Sequence, residues 1–338
     1  MRIAKTIVNV VITAAVTFSF FSCEKGVIEI PGGGEGITGY IWIAPYSLVT
    51  VPTKYRAADL GEVVKILEFD YGERLYGFDV DLDTGESFYL VGEKDIPFAE
   101  YLAKYSPDGQ RVFTAPVPSG IYSLVFDPST GAVWSYDRLL EPKLYRFSGD
   151  DGSLELEIDI DGYVIEDFAV DPRDGSVWYL TWGDDFVLRL VKSNRLGTEE
   201  VNVVLDDRYD EVCVDPKSGE VWIASDSYKL SKYNPDGGLI TERPIASRVF
   251  TLAVVPSGGY LLVGYENSLE LYDANGGFVS AWPYFGSGDF SFHTTEPYVF
   301  ARGAYESGFH YHAFNYNDWT EIWEKYKPYS YEIRFAEK

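Results

Sequence analysis

One eleven-residue pattern recurs along this chain and limits its fold more than any single residue does. The clearest copies read Phe-Ala-Val-Asp-Pro-Arg-Asp-Gly-Ser-Val-Trp (Phe168 to Trp178) and Val-Cys-Val-Asp-Pro-Lys-Ser-Gly-Glu-Val-Trp (Val212 to Trp222). A third reads Leu-Val-Phe-Asp-Pro-Ser-Thr-Gly-Ala-Val-Trp (Leu124 to Trp134). Aligning the tryptophan position gives Trp42, Phe88, Trp134, Trp178, Trp222, Leu262 and Phe300, at steps of 46, 46, 44, 44, 40 and 38 residues. Units of this length are too small to bury both of their own faces, so each must be covered by its neighbours.

The parts of a unit follow from its turn chemistry. A first strand (Asp167 to Asp171, Glu211 to Asp215) leads into Asp-Pro-x-x-Gly, where proline sets φ and glycine takes a positive φ. The second strand carries the tryptophan. A third strand ends in a further turn, Lys104-Tyr105-Ser106-Pro107-Asp108-Gly109 or Lys232-Tyr233-Asn234-Pro235-Asp236-Gly237, and a fourth strand leaves it. Four strands per unit predict an all-β fold, a β-propeller of seven four-stranded blades, with six blades as the alternative. The first unit lacks an obvious first strand. The alternating C-terminal segment Tyr331 to Ala336 is expected to supply it and close the ring.

Along the first strands, Phe78, Leu124, Phe168, Val212, Leu252 and Phe292 share one face. Asp79, Val125, Ala169, Cys213, Ala253 and His293 share the other. Large side chains on one side and mostly small ones on the other predict sheets packed face to face.

These copies resemble the NHL-repeat and related lipoprotein propellers over roughly Tyr40 to Lys327, in the Val-Asp-Pro-x-x-Gly-x-Val-Trp strand pair and the Lys-Tyr-x-Pro-Asp-Gly turn. The resemblance implies architecture and leaves activity open, because propellers host many chemistries.

The N-terminus reads as an address. Arg2 and Lys5 precede an apolar run from Ile7 to Phe21, the layout of a secretory signal over residues 1–22. The end of that run, Phe20-Phe21-Ser22-Cys23, resembles a bacterial lipobox, which implies lipidation at Cys23. Residues 23–39 are glycine-rich and read as a tether, leaving 40–338 as the folded domain. The chain is therefore expected in the bacterial cell envelope, on the periplasmic or cell-surface side, held to a membrane through Cys23. Its other cysteine, Cys213, lies in an apolar strand and pairs with nothing if Cys23 is lipidated.

A net charge of −25 argues against nucleic acid as a partner. Propeller ligands bind near the starts of first strands, where Tyr76-Gly77, Tyr122-Ser123, Glu166-Asp167, Asp210-Glu211, Phe250-Thr251 and Phe290-Ser291 align. The candidate site residues are Glu166, Asp167, Asp210, Glu211, Tyr76 and Tyr122. Four carboxylates from adjacent units could hold a hard cation such as Ca2+, or could simply be paired or solvated strand-end residues. His310 and His312 share a strand face but have no evident third ligand for zinc. Loop aromatics such as Trp182, Trp282 and Tyr284 could stack on sugars or anchor a protein. No Gly-x-Ser-x-Gly elbow or phosphate loop is present. The favoured reading is a non-enzymatic binding module for protein, peptide or glycan. The alternatives are a gluconolactonase-like metal-dependent hydrolase and a structural component of an envelope assembly.

Overall fold

The recurring turns set the local structure. At Asp127, Asp171 and Asp215 a side-chain oxygen accepts the backbone N–H two residues on, at 2.9, 3.0 and 2.9 Å. The same three aspartates, through their carbonyls, accept from the N–H of Gly131, Gly175 and Gly219. Those glycines have φ of +74°, +72° and +72°, a conformation that side chains with a Cβ rarely adopt. Each turn therefore reverses the chain at a fixed register and sends the following tryptophan strand back along the first.

The computed structural model describes residues 40–44, 53–56, 63–67, 73–93, 99–137, 142–256, 258–265, 268–283, 290–292, 298–305, 308–315, 320–327 and 332–336. They form seven four-stranded antiparallel sheets. Sheet 1 orders Glu332–Ala336, Tyr40–Ala44, Thr53–Arg56 and Val63–Ile66. Sheet 2 comprises Glu73–Val80, Ser87–Glu93, Tyr101–Tyr105 and Arg111–Pro116, and sheet 3 Ile121–Asp127, Ala132–Asp137, Lys143–Phe147 and Leu154–Asp159. Sheet 4 comprises Val164–Val170, Val177–Trp182, Leu188–Ser193 and Glu199–Val204. Sheet 5 comprises Tyr209–Val214, Val221–Ser225, Lys229–Tyr233 and Leu239–Pro244. Sheet 6 comprises Val249–Val254, Leu261–Tyr265, Ser268–Tyr272 and Phe278–Pro283, and sheet 7 Phe290–Phe292, Tyr298–Tyr305, Gly308–Asn315 and Thr320–Lys327.

Consecutive sheets are joined by buried side chains. Trp134, Tyr136 and Leu144 of sheet 3 pack with Ile165, Phe168 and Val177 of sheet 4. Trp178, Leu180 and Leu190 of sheet 4 pack with Tyr209, Val212 and Ile223 of sheet 5. Trp222 and Leu230 of sheet 5 pack with Val249, Leu252 and Leu261 of sheet 6. On each first strand the larger residues Phe78, Leu124, Phe168, Val212 and Leu252 are buried, whereas Asp79, Val125, Ala169, Cys213 and Ala253 are only half-buried. Val125, Ala169, Cys213 and Ala253 nevertheless pack against the clusters shared with the following sheet, so both faces of these sheets take part in the face-to-face packing.

A cation lies over the aromatic of the second strand in four sheets. It sits directly across the ladder: Lys104 over Phe88 (5.4 Å), Arg146 over Trp134 (5.7 Å), Lys192 over Trp178 (5.9 Å) and Lys232 over Trp222 (5.2 Å). Lys232, almost fully buried, also ion-pairs with Glu220 at 2.5 Å and donates to the Ala274 carbonyl of sheet 6 at 2.7 Å. Its aliphatic stem covers the indole while its head ties two sheets together.

The expected propeller ring fastened by the C-terminal strand is corrected. Among the described residues no sheet closes into a ring, and no backbone ladder passes from one sheet to the next. Among the described residues Glu332–Ala336 pairs only with Tyr40–Ala44, inside sheet 1, and its other edge is unpaired. It lies near Glu73–Val80 and Phe290–Phe292 without pairing to either. The physical reason is spacing: sheets held apart by interdigitated side chains stand about 10 Å from one another, beyond hydrogen-bond reach. The fold class established is all-β, built of separate four-stranded antiparallel sheets.

The signal, lipobox and tether expected over residues 1–39 lie outside the described residues. Among the described residues no helix is long and apolar enough to cross a membrane. Tyr284 and His293 also lie outside them.

Candidate functional site

The first and second strands of sheets 2 to 6 pair with the same irregularity. Their register shifts between Leu75 and Gly77, Ile121 and Ser123, Ile165 and Asp167, Tyr209 and Glu211, and Val249 and Thr251. The bulged residues are therefore Tyr76, Tyr122, Glu166, Asp210 and Phe250. A bulge re-aims one side chain out of the alternating pattern. Here it does so at one position of five successive sheets, near the ends where the first strands begin.

The environments of the aligned residues differ. Tyr76 is buried in the core shared by sheets 2 and 3, with the Arg74 guanidinium 5.2 Å from its ring centre. The side chain of Tyr122 lies outside the described residues. Glu166 accepts the indole N–H of Trp182 at 2.8 Å, so it fixes the orientation of that ring. Asp167 accepts the backbone N–H of Val212 at 2.9 Å, bridging sheet 4 to sheet 5. Asp79 of sheet 2 likewise accepts the N–H of Phe126 of sheet 3, at 2.8 Å.

Asp210 is bracketed by two arginines, Arg208 at 3.1 Å and Arg248 of sheet 6 at 3.1 Å. The same two guanidiniums reach Asp226, at 3.4 and 2.8 Å, and Arg208 lies 3.9 Å from Glu166. A track of alternating charge thus crosses sheets 4, 5 and 6. A hydrogen bond that the protonated Asp226 carboxyl donates to Asp210, then burial, pushes the Asp226 carboxyl up, against the pull of Arg248 and Arg208.

Glu211 and Cys213 share the half-buried face one and three residues beyond this track. Both keep some solvent contact but lie deep among protein atoms. Burial first, then the charges of Asp167 and Asp210, pushes the Glu211 carboxyl well above its usual range, with Arg248 opposing. Burial, Asp167, Glu211 and Asp215 likewise push the Cys213 thiol up, which keeps it protonated and unreactive. The four aligned carboxylates therefore occupy three situations: two hydrogen-bonded to neighbours, one ion-paired, one favouring its neutral form. Among the described residues no group of three or more His, Cys, Asp or Glu is arranged to hold a metal ion. His312 is buried and stacked on Phe314 at 5.9 Å; the side chain of His310 lies outside the described residues.

Around the charged track stands a set of aromatics of which alignment of the first strands marked only Phe250. Trp182 belongs to it, as do Tyr163, Phe186, Tyr228 and Phe250. Phe250 carries the Arg248 guanidinium 5.6 Å from its ring centre, and Tyr163 lies 5.6 Å from Phe186. Phe186 and Tyr228 occupy turns between second and third strands, and have φ of 61° and 64°. The Phe186 turn is clamped by Arg189, which grips both oxygens of Asp185 at 2.8 and 2.5 Å and holds that carboxyl down at about 2. The sequence signal for Tyr163, Phe186 and Tyr228 was aromatic character between strands, which by itself does not separate a loop anchor from a half-buried edge.

No family model matches this chain, and no curated protein matches it. The NHL-type family assignment is corrected on that finding. The motif that suggested it is the chemistry of an Asp-capped turn with a positive-φ glycine, which many paired strands share. The chain is similar in fold to the crystal structure of a functionally unknown protein from Desulfotomaculum acetoxidans DSM 771. The TM-score is 0.68 at 12% identity, covering 88% of this chain and 99% of that one.

Proposed function

We propose that this chain is a non-enzymatic binding module whose protein, peptide or glycan ligand seats on the rim of sheets 4 to 6. An all-β array of this kind suits a binding or structural role. The observation that carries the proposal is that one end of three adjacent sheets presents exposed aromatics beside a rigid arginine–carboxylate track. The carboxylates of that track are engaged by an indole N–H or by guanidiniums. Groups held in this way orient a ligand well and serve poorly as proton-transfer bases. A decisive measurement is retention of fractionated envelope protein, peptide and polysaccharide on the immobilised chain, with the Arg208→Ala/Tyr228→Ala double variant as control. Retention by the parent and loss in the variant is expected; equal retention by both sinks the assignment of the rim.

The location proposed is the bacterial cell envelope, reached through the N-terminal segment and held by lipid at Cys23. Membrane fractionation tests this directly. The full chain should sediment with membranes and Cys23→Ser should move to the soluble fraction, whereas identical partitioning would refute the anchor.

A further inference from the structure

We propose that the rim of sheets 4 to 6 takes a neutral oligosaccharide, an inference that rests on the binding reading above and names its ligand class. Three observations converge on it.

The first is backbone strain placed under exposed rings. Among the described residues, Phe186 and Tyr228 are the non-glycine residues with positive φ. Both are aromatic, and they are 74% and 51% exposed. They occupy corresponding turns of adjacent sheets, 4 and 5. Glycine would adopt this conformation without strain, so folding alone does not call for a phenyl or phenol ring there. A ring held rigidly in water offers a flat apolar platform, and the C–H face of a pyranose is complementary to it.

The second is the polar track carried by the same three sheets. Glu166, Arg208, Asp210, Asp226 and Arg248 are held by one another at 2.8 to 3.9 Å. A sugar hydroxyl both donates and accepts, so a preset row of alternating acceptors and donors matches adjacent hydroxyls without rearrangement.

The third is charge, which selects a neutral ligand. The exposed heads on the track are guanidiniums, 53% and 52% exposed at Arg208 and Arg248, while the acids beneath them are 13% to 27% exposed. That surface offers a cationic peptide little to pair with. The chain as a whole carries −25, which repels polyanions. A neutral polyol is penalised on neither count.

The test is isothermal titration of the purified full chain with cellohexaose, maltohexaose, mannohexaose and xylohexaose, repeated on Phe186→Gly and Tyr228→Gly. Glycine relieves the backbone strain, so both variants should melt at or above the parent temperature. At least one hexasaccharide should bind the parent, and each variant should weaken it about tenfold, the scale of losing one aromatic anchor. Binding of none of the four, or equal binding by parent and variants, overturns the proposal. Retention of an envelope protein or peptide that does fall in both glycine variants would remove the sugar and leave the binding rim in place. Retention indifferent to both variants would remove the rim as well.

Discussion

Trp222→Ala should destabilise the chain by about 3–5 kcal/mol, read as a fall in the denaturant midpoint at unchanged slope. The indole is fully buried and stands where sheet 5 meets sheet 6, against Val249, Leu252 and Leu261. No ladder joins those sheets, so side-chain packing and a few tethers such as Lys232 to Ala274 carry the joint. Truncation removes the apolar surface, opens a cavity and strips Lys232 of the ring it covers. Trp222→Phe keeps a π face under the ammonium and should cost about 1–2 kcal/mol. Trp178 stands in the preceding joint, in a separate cluster with residues of sheets 4 and 5. The two alanine substitutions should therefore add to within about 0.5 kcal/mol. A Trp222→Ala midpoint equal to the parent's would mean that these tryptophans are not what couples the sheets.

That coupling was legible in the sequence because turn chemistry and strand alternation are local. Asp127, Asp171 and Asp215 cap their turns through atoms two to four residues away, and the glycine that each turn needs follows at a fixed offset. The tryptophan and the lysine across the ladder are likewise set by the register of one hairpin. The closed ring and the family were not legible. Turn motifs report how two strands connect, not how an array ends or which lineage it came from. The candidate site was legible in part: alignment of first strands placed Glu166, Asp167, Asp210 and Glu211 at equivalent positions. It could not show that bulges re-aim Glu166 and Asp210 while Asp167 and Glu211 keep to the half-buried face. Nor could it show that Arg208 and Arg248 occupy Asp210, because Arg248 arrives from the next sheet, 38 residues on. The aromatic platforms at Phe186 and Tyr228 depend on backbone dihedrals that no composition or spacing reports.

The same half-buried face yields a pH signature of definite sign. Glu211 has its carboxyl pushed well above the usual range by burial, by Asp167 from sheet 4 and by Asp210 on its own strand, with Arg248 from sheet 6 opposing. The neighbouring Cys213 thiol is itself pushed up and stays neutral over the same interval. A free glutamate titrates near about 4.3. Above that pH the unfolded chain releases the Glu211 proton while the folded chain retains it. The folded state then binds more protons than the unfolded, so this residue makes stability fall as pH rises, until the folded carboxyl also ionises. Glu211→Gln removes the penalty. It should leave the melting temperature nearly unchanged at pH 4 and raise it at pH 8 by about 2 °C or more, since each pKa unit is worth about 1.4 kcal/mol. Asp167→Asn separates charge from hydrogen bonding, because the amide oxygen can still accept from the Val212 N–H. It should flatten the same pH dependence while Glu211 remains in place. A Glu211→Gln gain of equal size at both pH values would place its origin in packing, and the pairing of this carboxyl with Asp167 would have to be abandoned.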